Sequence, residues 1–153
     1  MRTEHMTMAV NPADWPHPSG YSNVMMGDGK LIAIAGQIGW DPIREELVSD
    51  DLAQQCRQAI ANILTALEAA GAKAEHLLRL TWYITDRDAY LKNAHKIEQA
   101  YREEVGDHYP AMSVVVVAGL LEPRAKVQIE ATALLHAKAN TRRTKAKAKV
   151  NRK

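Results

Sequence analysis

The run Ser113-Val114-Val115-Val116-Val117-Ala118 constrains this chain more than any other segment. Four consecutive β-branched residues favour an extended strand, and successive side chains of a strand point to opposite faces. No polar face is left, so both sides of this strand are expected to be dry. What covers them depends on the other elements. "YSNVMMGDGKLIAIAGQIGW" reads as a hairpin of "SNVMM" with "KLIAIAGQI" around Asp28-Gly29, a pair that tolerates the positive φ of a tight turn. Gly36 lets the second strand bulge or pass close to a neighbour.

"SDDLAQQCRQAIANILTALEAAGA" has a helical period, with Leu52, Cys56, Ala59, Ile60, Ile63, Leu64 and Leu67 on one face. Ser49 or Asp50 is expected to cap its start, and Gly71 to end it. A strand "LLRLTWYIT" follows. Asp86 or Asp88 then opens a second helix, "AYLKNAHKIEQAYREEV", which turns Tyr90, Ala94, Ile97, Ala100 and Tyr101 inward and stops at Gly106. "AMSVVVVAGL", the turn "LEPR" and "AKVQIEATALL" complete a β-β-α-β-α-β-β order. Two helices cover only one face of such a sheet. The valines therefore predict a second copy of the chain against the other face, since monomers rarely expose large apolar patches. The alternative is a central strand whose far side is covered by a loop.

At 153 residues, 46% apolar and 25% charged, the chain suits one globular domain. No apolar run approaches the roughly 18–20 residues of a membrane span, and residues 1–21 hold no apolar stretch of a secretory signal. Cys56 is the only cysteine, which excludes an intrachain disulfide and fits a reducing compartment, so the cytoplasm is expected. Charge divides the chain. Eight of its 20 basic residues lie after Ala137 with no acid among them, leaving 12 against 18 acidic residues, a body of −6. The expected organisation is an N-terminal extension (1–17), a domain (18–137) and a basic tail (138–153). The tail reads either as a solvated, disordered extension or as a weak RNA-binding arm, although it has no aromatic ring for base stacking.

Motifs exclude more than they assign. The histidines are scattered without metal-ligand spacing, and no GxGxxG, GxxxxGK[ST] or GxSxG occurs. Cys56 lies on an apolar helix face and reads as an inert packed thiol. Glu130 in "KVQIEATAL" is the informative residue. Alternation sets it with Gln128 and Thr132, opposite Val127, Ile129, Ala131 and Ala133. A charge there either meets water at an edge or lines a cleft, because an unpaired buried charge costs several kcal/mol. Tyr21 has the same duality, as a packed ring or a hydroxyl at a site rim.

Taken in order, "SGYSNVMMGDGKLIAIAGQIGWDP", "QAIANILTALEAAGA", "RLTWYITD" and "YPAMSVVVVAGLLEPRAKVQIEATAL" resemble the YjgF/RidA family from about Pro18 to Leu135. The resemblance implies an α+β, chorismate-mutase-like subunit with a mixed sheet and two helices on one face. It also implies a homotrimer around a central β-barrel, with small metabolites bound in intersubunit clefts. Deaminating members hydrolyse enamines and imines to carbonyl compounds and ammonia without a cofactor. Carried over, Tyr21 matches the family's tyrosine and Glu130 the glutamate that positions the attacking water. Ala35 stands where a serine is frequent, and Val114 where a cysteine is common. Met112 replaces the arginine that clamps the substrate carboxylate. Losing two charge-assisted hydrogen bonds of about 1.5–3 kcal/mol each would weaken carboxylate binding roughly a hundredfold or more. Arg124, at the turn beyond the valines, is poorly placed to substitute. Three readings follow: a deaminase of altered specificity favouring a more apolar or aromatic ligand, a non-catalytic metabolite binder, or an RNA-associated protein.

Overall fold

In the computed structural model, which describes residues 7–137, the strand β8 (Val127–Leu135) alternates as its sequence demands. Val127, Ile129, Ala131 and Ala133 are buried, and Glu130 is exposed on the opposite face. This strand is the inner member of a four-stranded sheet ordered β3 (Lys30–Ile38), β8, β6 (Leu77–Ile84), β7 (Ala111–Val116). It runs antiparallel to both β3 and β6, while β7 runs parallel to β6. The helices α1 (Leu52–Ala69) and α2 (Arg87–Val105) pack against each other, and α1 against β3 and β8, enclosing one core of Leu, Ile, Val and Ala. Among the described residues no helix is long and apolar enough to cross a membrane.

The helical period of α1 is realised: Leu52, Cys56, Ala59, Ile60, Ile63 and Leu67 are buried. Its cap differs from expectation. Asp51, not Ser49 or Asp50, accepts from Gln54 N at 2.9 Å. Ser49 instead accepts from Asp51 N, and Asp50 takes the Arg124 guanidinium, so both alternatives are already engaged. At the other end Gly71 has φ +78° and Ala72 N reaches Leu67 O, the left-handed stop expected of it. Asp86 caps α2 through Ala89 N, and Gly106 ends it with φ +86°.

The expected hairpin between 22–26 and 30–38 does not form. The strand β2 (Val24–Met26) pairs with β1 (Met8–Val10), and β3 pairs with β8. Gly29 shows why the turn opens. A Cβ there would lie 2.6 Å from Leu135 O, so the backbone is pressed against the end of β8 and hands β3 to that strand. A second small ribbon joins β4 (Trp40–Asp41) to β5 (Glu46–Leu47).

The valine run lies at the sheet's edge. Val114, Val115 and Val116 are 43%, 43% and 51% exposed, so neither a helix nor a loop of the subunit covers them. The alternative of a central strand under a loop is excluded. The basic tail, 138–153, lies outside the described residues.

One buried polar side chain ties these parts together. Gln55, fully buried in α1, donates to Ser49 O and Arg124 O and accepts from Lys126 N at 2.8 Å. Its backbone lies so close to Gly39 that a Cβ on Gly39 would meet Gln55 Cα at 2.6 Å. Gly39→Ala is expected to cost about 2 kcal/mol or more by overpacking this contact. Gly119→Ala, which faces open space, is the control. Urea unfolding midpoints of the two variants measure the difference, and equal midpoints would contradict it.

Candidate functional site

Two groups of side chains emerge from the sheet, on opposite faces. The first lies at the β7 edge, on the helix side. The β6–β7 register pairs Leu80 with Met112 and Trp82 with Val114, so Met112 and Val114 share the face of those two buried residues. Tyr21 joins them because its neighbour Ser22 is bound to the entry of β7: Ser22 N donates to Pro110 O at 3.1 Å and Ser22 Oγ to Tyr109 O at 2.6 Å. Tyr21, Met112 and Val114 thus line one cavity of about 340 Å³ between β7 and α2. Tyr90 and Ala94, expected to face inward, also line it; Tyr90 is half-buried and packs against the core, whereas Ala94 is exposed.

The wall of this cavity is aromatic. Tyr101 and Tyr109 stack with ring centroids 5.5 Å apart, and Tyr101 donates its hydroxyl to His108 O at 2.6 Å. Burial pushes the Tyr101 phenol well above its usual range, so it stays neutral. Glu98 is the charged side chain of the lining and is paired with Arg102, which also donates to Tyr109 Oη. Trp82 is 3% exposed, and its indole Nε1–H is buried without an acceptor among the described residues.

The second group lies on the open face at the other side of the sheet. Ile34 pairs with Ala131 and Gln37 with Ile129, so Ala35 and Gly36 together oppose Glu130 in a β-bulge. Gly36 leaves room there for the Gln128 amide, which would have to shift if a Cβ were present, since it would lie 2.3 Å away. Tyr83, on the same face of β6, donates its hydroxyl to Glu130 Oε1 at 2.7 Å. That hydrogen bond raises the Tyr83 pKa, since it holds the phenolic proton. The structure therefore brings Ala35 to Glu130 and gathers Tyr21, Met112 and Val114 elsewhere. Within one subunit the two groups do not meet.

Sequence reasoning missed Trp82, Tyr83 and Arg79. The first two read as ordinary strand aromatics, and only the register reveals their surroundings. Arg79, exposed on β6, lines a smaller cleft with Tyr21, Asn23, Met112 and Ser113, and its side chain makes no hydrogen bond or ion pair among the described residues. Arg124 is engaged with Asp50 at 2.9 Å, away from either group.

A mixed sheet with both helices on one face is the subunit type of the YjgF/RidA fold. The chain belongs to that family: the family model described as endoribonuclease L-PSP matches residues 15–135. A RutC family protein of Pyrococcus horikoshii is 34% identical over 118 residues, 77% of this chain and 90% of that one. The human 2-iminobutanoate/2-iminopropanoate deaminase is 30% identical over 114 residues, 74% of this chain and 79% of that protein. The crystal structure of a Rid family protein of unknown function, YyfB of Yersinia pestis, matches with a TM-score of 0.75 and 32% identity, covering 84% of this chain and 98% of that one.

Cys56 is not part of either group. Burial, and secondarily the Asp51 carboxylate, push its thiol up to about 12. A pKa raised in the folded state contributes stability that is whole below the unfolded value of 9.0 and is lost as pH rises toward the folded one. Between about pH 8 and about pH 10.5 the urea midpoint of the wild type is expected to fall more steeply than that of Cys56→Ala. Parallel slopes would show that the thiol is not the titrating group.

Proposed function

We propose that the chain forms a homotrimer in which the β3 bulge of one subunit faces the β7 cavity of the next, and that each resulting cleft deaminates small enamines or imines by hydrolysis. The observation that carries this reading is the separation of the two groups: Glu130 and Ala35 lie on one face, Tyr21, Met112 and Val114 on the other. Neither group alone combines the glutamate with a cavity, and the bare valines between them supply an apolar surface for a second copy. Membership of a family that includes the human imine deaminase supports the chemistry.

In the proposed reaction Glu130 accepts a proton from water as its oxygen attacks the carbon of the C=N bond. Glu130 passes that proton to the nitrogen, giving the neutral carbinolamine. It then takes the proton of the new hydroxyl and delivers it to the nitrogen as the C=O bond forms and the C–N bond breaks, so ammonia leaves with both protons of the water and the carboxylate is restored. Backbone N–H groups near Val115–Val117 stabilise developing charge. The Tyr83 hydroxyl fixes the orientation of the carboxylate. The reaction needs water and a general base, and no cofactor. Met112 offers no charge to a substrate carboxylate, which favours ligands more apolar than those an arginine would select.

The trimer is tested by light scattering, where the expected mass is three times the 17.0 kDa of the subunit. Val115→Asp, placing a charge on the open apolar edge, is expected to return the subunit mass; an unchanged trimer would move the interface elsewhere. Ammonia release from enzymatically generated 2-imino acids tests the chemistry. Glu130→Gln is expected to lower it by about a hundredfold or more. Ligand binding with no ammonia from any imine would make the protein a metabolite binder. The RNA reading rests on the basic tail; salt-sensitive RNA affinity lost on truncation after Ala137 would favour it.

A further inference from the structure

The chain holds three Trp, five Tyr and no Phe, and four of those tyrosines together with Trp82 line one cavity between β7 and α2. Aromatic side chains are few in this sequence, 5% of it, so their convergence on one hollow is not a by-product of composition. The hollow has the size of a small-molecule site, whose typical lining is apolar and aromatic with a few placed polar groups. Two features give it a chemical preference. Among the described residues no cation lines it, and the carboxylate of its lining, Glu98, is already paired with Arg102. Among the described residues the Trp82 indole N–H is buried and unpaired, a condition native proteins rarely tolerate, because an unsatisfied donor forfeits about 1–3 kcal/mol.

We infer that this cavity selects a planar aromatic ligand carrying a neutral hydrogen-bond acceptor, and that the Trp82 Nε1–H is the donor that reads that acceptor. The inference rests on the proposed cleft chemistry only for the identity of the reacting group: in the deaminase reading, the substrate is an imine with an aromatic side chain. The ring stacks among Tyr90, Tyr101 and Tyr109, where offset and edge-to-face contacts favour aromatic over aliphatic groups. Nε1 is covered by its surroundings, and Met112, one step along the same face of the sheet, has the flexible thioether chain that can yield to admit an acceptor. An arginine at position 112 would place a hydrated cation on this wall; methionine keeps it apolar. Trp82 is therefore a specificity residue and not a catalytic one.

The test uses the full-length protein and two probes of similar shape: acetophenone, a ring with a carbonyl acceptor, and ethylbenzene, which has none. Binding is followed by Trp fluorescence and by thermal shift against concentration. Acetophenone is expected to bind wild type and to lose about fivefold in Trp82→Phe, the loss of one neutral hydrogen bond, while ethylbenzene is unchanged. Ala94→Leu, which fills the cavity from the exposed side of α2, is expected to weaken both. If Trp82→Phe keeps the wild-type mass and binds acetophenone unchanged, or loses both probes equally, the donor role is wrong. Should Trp82→Phe fail to fold, the Ala94→Leu result and the relative rates on imines made from L-phenylalanine and L-alanine still decide the ligand class. Wild type is expected to prefer the phenylalanine-derived imine at least tenfold. Turnover of the alanine-derived imine alone, with neither aromatic probe bound, overturns this inference and leaves the deaminase reading standing. Aromatic binding with no ammonia from any imine does the reverse.

Discussion

The pairing of β8 with strands on both of its sides sets everything else in the subunit. Because its side chains alternate, one register sends Val127, Ile129, Ala131 and Ala133 to the helices and Glu130 to the open face. A slip of one residue would put a carboxylate into the core and four apolar side chains into the open. The bulge at Ala35-Gly36 makes such a slip hard: two residues of β3 are matched to one of β8 at one place only, and Gly36 accommodates Gln128 there. The feature that fixes the fold and the feature that presents Glu130 are one and the same.

Dryness on one face alone follows from the helix count. With α1 and α2 both behind the sheet, the open face keeps Arg79, Thr81, Tyr83 and Glu130, and the β7 edge keeps its valines. Interfaces bury an apolar core within a polar rim, so a second copy seated on the edge valines would have Glu130 and Tyr83 beside its apolar contact, as the lining of a polar cleft. The proposed ring would bury the valines and enclose the carboxylate in one step. It would also strengthen the electrostatics of Glu130 by removing water from it. An isolated subunit leaves that carboxylate exposed beside Tyr83, where its charge is screened.

Much of this was legible in the sequence, where the signal was periodic. The buried face of α1, the alternation of β8 and the helix stops at Gly71 and Gly106 all follow from spacing and backbone freedom. The Asp28-Gly29 turn was misleading because local turn chemistry says how a chain can bend, not which strand it will pair with. Gly29 is needed for its closeness to Leu135, a residue over a hundred positions away. Asp51 was missed as a cap because Ser49 and Asp50 are equally good acceptors and only their other partners disqualify them. For the candidate site, the resemblance named Tyr21, Ala35, Met112, Val114 and Glu130 but could not say that they divide between two faces. Gln55, Tyr83 and Trp82 carry no signature in one dimension, since their roles come from long-range register.

Met112, which the resemblance sets where an arginine is expected, takes a different meaning in this setting. An arginine removed from an otherwise polar pocket would leave a hole in a charge network, and loss of activity would be the simplest consequence. Here the wall around position 112 is itself aromatic, the remaining carboxylate is neutralised by its neighbour in α2, and the free donor is an uncharged indole. A cation on such a wall would have to be desolvated against tyrosine rings and the buried face of Trp82, at a cost that methionine avoids. Arg79 remains on the other side of Tyr21 and Met112, unpaired among the described residues and exposed to solvent. Charge has therefore not vanished from the neighbourhood; it stands outside the aromatic hollow. On the proposed reading, that arrangement suits a ligand whose ring and neutral acceptor enter the hollow while any charged group stays at the rim near Arg79.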